Sequence, residues 1–167
     1  LERFDPNGPY SGIKRSLTDG GIRVPAIAWW PGHIAAGTES SHVAYLGDWM
    51  ATATELAGAT PPDGIDSISF VPTLTGHPDQ QPEHEFLYWE FHDGGFRQAA
   101  LYHGRWKGIR TGASEAPVKL FDTDTDVAET EDVAEEHPEI AAAVSRFLQT
   151  ARTELPAWEP SWKPATP

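Results

Sequence analysis

What most constrains this chain is a glycine-punctuated loop, residues 8–21, that runs straight into a nearly continuous apolar stretch, residues 22–30. Lys14 and Arg15 are the cations held inside that loop, and Gly8, Gly12, Gly20 and Gly21 allow positive φ and close backbone approach. The stretch Ile-Arg-Val-Pro-Ala-Ile-Ala-Trp-Trp that follows predicts a strand covered on both faces, paired with strands from outside this chain. Pro25 cannot donate to a ladder, so an edge position or a bulge is expected there, and Pro31-Gly32 ends the strand in a turn. A cation on a glycine-rich loop beside a sheet is a common way to meet an anion.

The wider run Asn7-Gly-Pro, Gly12-Ile-Lys14-Arg15, Asp19-Gly-Gly-Ile-Arg-Val-Pro25 and Trp30-Pro-Gly-His-Ile34 resembles the arylsulfatases of the alkaline-phosphatase-like superfamily. Downstream, Asp48, Thr52, Glu55-Leu-Ala-Gly58 and Asp63-Gly-Ile-Asp66 continue the resemblance, which extends from about residue 7 to about residue 140. It implies an α/β fold: the end of a sulfatase catalytic domain (residues 1–80), a small α+β subdomain (81–155) and an extended tail (156–167). It also implies that Lys14 contacts the sulfate group of a sulfate ester. Asp19 stands where the family usually has Glu, so the carboxylate is kept on a stem one methylene shorter. The implied full-length enzyme uses calcium and a formylglycine made from Cys or Ser in a Cys/Ser-x-Pro-x-Arg motif. No such motif occurs in this sequence. With Leu rather than Met as its first residue, the chain reads as a C-terminal portion whose partner is the missing N-terminal catalytic half, inactive alone. A periplasmic or extracellular location is what the resemblance suggests.

Composition narrows the rest. The 167 residues carry 12 basic and 25 acidic side chains, a formal charge of −13, which weighs against nucleic acid or an anionic membrane as partner. An anionic substrate must therefore be met by local cations. With no cysteine there is neither a disulfide nor a zinc–thiolate site. No apolar run is long enough to span a bilayer as a helix.

Along the chain, residues 42–46 predict a second short strand. Asp48 is expected to cap a helix over residues 49–57 that ends at Gly58, with Met50, Ala53, Leu56 and Ala57 facing a core. Residues 67–82, rich in Pro and Gly, suggest a boundary. Strands are expected over residues 86–91, 97–102, 105–110 and 118–121, with His103-Gly104 as a two-residue turn. Pro138 suits the first position of a last helix whose apolar stripe is Ile140, Val144, Phe147 and Ala151. These elements make a small antiparallel α+β layer. In the tail, Trp158 and Trp162 are expected to anchor an extended segment.

Among chemistry-bearing residues, Lys14 is the leading catalytic candidate, since a compact ammonium stabilises the charge that develops as a sulfate ester breaks. Arg15 and His92 are candidate substrate contacts, the latter at a strand end before Gly94-Gly95. Arg23, expected to be buried, should pair with a carboxylate such as Asp19. No metal ligand is assigned. Asp5 and Asn7 read as turn residues, His84-Glu85 lacks the second histidine of a zinc helix, and the stretch 122–126 lacks the glycine and the bidentate Glu of a calcium loop. Two other readings remain open: a phosphate or phosphonate ester hydrolase of the same superfamily, and a non-catalytic module holding a sulfated glycan or a partner chain. The apolar strand at 22–30 would also offer an edge for a second copy of the chain.

Overall fold

The structure, a computed structural model, describes residues 6–153. The expectations for Asp5 and for Trp158 and Trp162 lie outside these residues. The chain parts into two units: the described residues up to Val24 join those from Phe86 onward, and Pro25–Glu85 form the other.

The first unit is built on a meander of four antiparallel strands in sequence order: β1 (Phe86–Phe91), β2 (Arg97–Tyr102), β3 (Trp106–Thr111) and β4 (Lys119–Asp122). The sheet is the one expected from sequence. The β2–β3 turn is one residue longer than a two-residue hairpin, since Tyr102 pairs with Trp106. His103 and Gly104 both take positive φ there, +48° and +68°. The last helix of the chain's described part (Pro138–Thr150) has proline at its N-terminus, as expected. It packs Val144 and Leu148 against Ala100, Val118 and Leu120. Ile140 and Phe147 flank this core, and Leu148, 1% exposed, adds to the stripe read from sequence.

Because side chains alternate along a strand, Tyr88, Gln98, Gly108 and Leu120 share the face under this helix. Lys107, Ile109 and Thr111, with Arg97 across the ladder, share the opposite face. That second face carries the N-terminal loop, whose Leu17 is buried. The sheet is thus covered by a helix on one side and by the glycine-rich loop on the other.

In this loop the chain departs from the expected strand at residues 22–30. Residues Asp19–Ile22 form a single helical turn, α1, and residues 23–30 pair with no strand among the described residues. Ile27 is 96% exposed and Trp29 85%. A strand exists only as half of a ladder, and apolar composition cannot supply the other half. Arg23, expected to be buried, is likewise exposed.

In the second unit the expected strand at 42–46 is also missing, and a helix α2 (Asp48–Leu56) follows directly. Gly58, at φ +65°, ends it as expected. Asp48, 1% exposed, is the first helical residue rather than the cap. Its carboxylate accepts from the Tyr45 amide at 3.0 Å, the Ile68 amide at 2.8 Å and His84 Nε2 at 2.9 Å. The buried face of α2 is therefore polar: the Phe70 amide donates to Thr52 Oγ1 and the Ala51 amide to Ser67 Oγ. This turns Met50, Ala53 and Leu56 outward, against the sequence expectation. The unit continues with α3 (Val71–Leu74) and a single 3-10 turn (Pro78–Gln80). Numbered in chain order, the final helix Pro138–Thr150 is α4.

Candidate functional site

The loop that carries Lys14 is closed by its own backbone. Asn7 donates from its side chain to the Gly12 carbonyl at 2.6 Å, and the Ser16 amide donates to the Ile13 carbonyl at 2.8 Å. This second bond brackets a turn with Lys14 and Arg15 at its centre. Arg15 has φ +79°, the conformation that the third residue of a type II turn requires and that glycine ordinarily supplies. The turn presents Lys14 at its tip, exposed.

Behind the turn, Thr18 Oγ1 and the Gly20 amide both donate to the Ser11 carbonyl, each at 2.8 Å. A Cβ on Gly20 would lie 2.4 Å from that same oxygen, and one on Gly21 2.3 Å from the Ser16 carbonyl. The two glycines are required by close approach of backbone to backbone.

Under the loop lies a cavity of about 340 Å³ lined by Ile13, Lys14, Arg15, Arg97 and Thr111, among others. Three of its lining residues, Lys14, Arg15 and Arg97, are basic and none is a carboxylate, with Asp93 held against Arg15. On a chain of charge −13 this is a local reversal of sign, suited to an anion. Arg15 also pairs with Asp93 at 2.7 Å, a contact exposed on both sides. Arg97 donates to the Asp93 carbonyl and lies over the Phe91 ring.

The loop is anchored to the sheet through charge. Lys107 of β3, 1% exposed, sets its ammonium 2.5 Å from Asp19 Oδ1 and 2.9 Å from Glu129 Oε1. The Asp19 amide donates to Glu129 Oε2 at 2.6 Å. Burial pushes the Glu129 carboxyl up from its ordinary range, against the pull of Lys107. Arg23 reaches Asp19 Oδ2 at 3.3 Å, the pairing expected from sequence.

His92 is placed by a different network. Its Nε2 lies 2.6 Å from Glu90 Oε1, and Glu90 also accepts from Tyr88 and Gln98. Those bonds hold the Glu90 carboxyl below its usual range, although burial acts in the opposite direction. His92 does not line the cavity. The structure thus brings together Lys14 and Arg15, and adds Arg97 and Thr111, which sequence reasoning missed. Their signal was available: both lie on the face of the β2–β3 hairpin opposite Gln98 and Gly108. Neither residue has a local motif to mark it.

The described carboxylates do not fit a calcium ion. Asp19 and Glu129 face Lys107, Asp48 faces His84, Asp122 faces Arg105, and Asp126 accepts from the amides of Thr130 and Glu131. Among the described residues no group of three or more His, Cys, Asp or Glu is placed to hold a metal.

Comparison with known proteins gives one pattern. The family model described as N-sulphoglucosamine sulphohydrolase, C-terminal, matches residues 12–154. N-acetylgalactosamine-6-sulfatase of Homo sapiens is 43% identical over 75 residues, which covers 44% of this chain and 14% of that protein. Steryl-sulfatase of Rattus norvegicus is 43% identical over 84 residues, 49% of this chain and 14% of that protein. The crystal structure of Ps i-CgsB superposes with a TM-score of 0.76 at 25% identity, covering 91% of this chain and 34% of that one. The matched stretch of the chain spans about a seventh of the length of each of these two curated relatives.

Proposed function

We propose, from the premise that this chain belongs to the sulfatases through their N-sulphoglucosamine sulphohydrolase C-terminal family, that it is the C-terminal portion of a sulfuric ester hydrolase and supplies Lys14 to the sulfate group. The observation that carries the reading is the placement of Lys14 at the tip of a backbone-closed turn, on a cavity whose other charged lining residues, Arg15 and Arg97, are also cations.

The chemistry follows from charge. A sulfate ester brings negative oxygens and gains charge on the leaving oxygen as its bond breaks. An ammonium fixed beforehand near those oxygens stabilises that charge without reorganising. Arg15 adds a second cation beside it, and Thr111 a hydroxyl. The sequence has no cysteine and no Ser-x-Pro-x-Arg, so a formylglycine nucleophile is not supplied by these residues. By itself this polypeptide is expected to bind sulfate and leave an aryl sulfate intact.

Titration calorimetry with inorganic sulfate tests the binding half of this reading. The unaltered chain should bind, Lys14→Met should bind far more weakly, and Lys119→Met, which removes an exposed charge of the same type on β4, should match the unaltered chain. Equal affinity for Lys14→Met and the unaltered chain would sink the assignment.

A further inference from the structure

We propose that the buried cluster of Lys107, Asp19 and Glu129 is the device that holds Lys14 in register with its anion, which makes Lys107 a positioning residue for the site; the inference rests on the reading of Lys14 just given. Three observations carry it.

The first is connectivity. Lys107 meets Asp19 at 2.5 Å, and Asp19 opens the single turn of α1. The next residue, Gly20, donates to the Ser11 carbonyl, to which Thr18 Oγ1 also donates. Ser16, between them, closes the turn that presents Lys14 through its bond to the Ile13 carbonyl. Fixing Asp19 against the rigid sheet therefore fixes both ends of the Lys14 turn.

The second is the character of the anchor. One carboxylate and one ammonium have been taken out of water, with the Lys107 side chain 1% and the Glu129 side chain 0% exposed, and the half-buried Asp19 adds a second carboxylate. Desolvating ions costs about as much as their attraction returns, so such a cluster is a poor general stabiliser. Its best-attested use is to specify register. A loop whose function is to place one charge to within a fraction of an ångström needs register more than net stability.

The third is backbone cost. Glu129 adopts φ +52°, which side-chain-bearing residues avoid. In that conformation its Oε2 meets the Asp19 amide at 2.6 Å while Oε1 meets Lys107. A strained residue whose side chain bonds the Asp19 amide and pairs with Lys107 points to a positional requirement.

The test uses the 167-residue chain, amide hydrogen exchange and titration with inorganic sulfate. Lys107→Met combined with Glu129→Gln removes one charge of each sign and leaves Asp19, 18% exposed, to Arg23 at 3.3 Å. With Ala100 and Ile109 amides protected as in the unaltered chain, the Ser16 and Gly20 amides should exchange faster and sulfate should bind more weakly, each by about tenfold or more. Unchanged sulfate affinity in this variant, with or without a looser loop, overturns the proposal. Asp19→Asn and Asp19→Glu form a second pair at a half-buried position and guard against a misfolded double variant. Sulfate should weaken for the neutral side chain and be retained for the longer acid, whereas equal affinity for the two overturns the proposal. Lack of sulfate binding by the unaltered chain refutes the reading of Lys14 itself, and the positioning role with it. The exchange rates then still separate that failure from a loop indifferent to Lys107.

Discussion

Gly108 lies mid-strand in β3, paired with Ala100 on one side and Leu120 on the other, directly under α4. Its replacement by alanine sets two effects against each other. Glycine in a strand interior costs roughly 0.5–1 kcal/mol in backbone entropy, which alanine would recover. The new Cβ, however, would stand 2.4 Å from Val144 Cγ1 and 2.8 Å from Val118 Cγ1. Neither valine can yield readily, because Val144 is 0% and Val118 9% exposed in the same core. Overpacking of this kind costs about 1–3 kcal/mol, so the clash wins and Gly108→Ala should lose on the order of 1–2 kcal/mol. At this chain length that is a fall in Tm of about 2–8 °C. Denaturant unfolding should show a lower midpoint at unchanged slope. Adding Val144→Ala removes the methyl group that Cβ strikes, so the double variant should lose less than the sum of the two single losses. A Gly108→Ala variant as stable as the original, or strictly additive losses, would refute the account of how α4 sits on the sheet.

Three further outcomes are expected. Gly21→Ala would drive Cβ to 2.3 Å from the Ser16 carbonyl, a backbone atom with no room to yield, and calorimetry should find sulfate binding lost while circular dichroism still reports the β1–β4 sheet. The raised Glu129 carboxyl makes a stability contribution that is fully present below its unfolded value of about 4.5 and is lost as pH rises through its folded value. Thermal melts should therefore decline over that window, and Glu129→Gln should flatten the decline; an unchanged slope in that variant would contradict the burial of this group. Asp48→Asn leaves one acceptor oxygen for the Tyr45 amide, the Ile68 amide and His84, so chemical denaturation should show a loss of about 1–3 kcal/mol.

The sequence made some features legible because local chemistry decides them. Alternation and turn residues marked all four strands. Pro138 marked the start of α4, and the glycines around Lys14 marked a loop. What failed was decided by partners. Residues 22–30 have the composition of a buried strand, yet no ladder partner exists for them among the described residues, and Ile27 and Trp29 are exposed. In α2 the apolar spacing pointed to one face, but three acceptors on Asp48 and Thr52 drew the opposite face inward. Lys107 was unreadable for a related reason: a lysine in a strand looks solvated until its two carboxylates, from residues 19 and 129, are brought to it by the fold. Arg97 and Thr111 became site residues only through the register that puts them across from one another.

The central claim, that the residue 14 ammonium is aimed at a tetrahedral anion, is tested most directly by NMR of the chain labelled with 13C at lysine Cε. On addition of inorganic sulfate the Lys14 resonance should shift along a saturable curve. The exposed Lys119 resonance and the buried Lys107 resonance should stay in place. A Lys14 resonance that stays still, or one that drifts in step with Lys119 without saturating, would contradict the account.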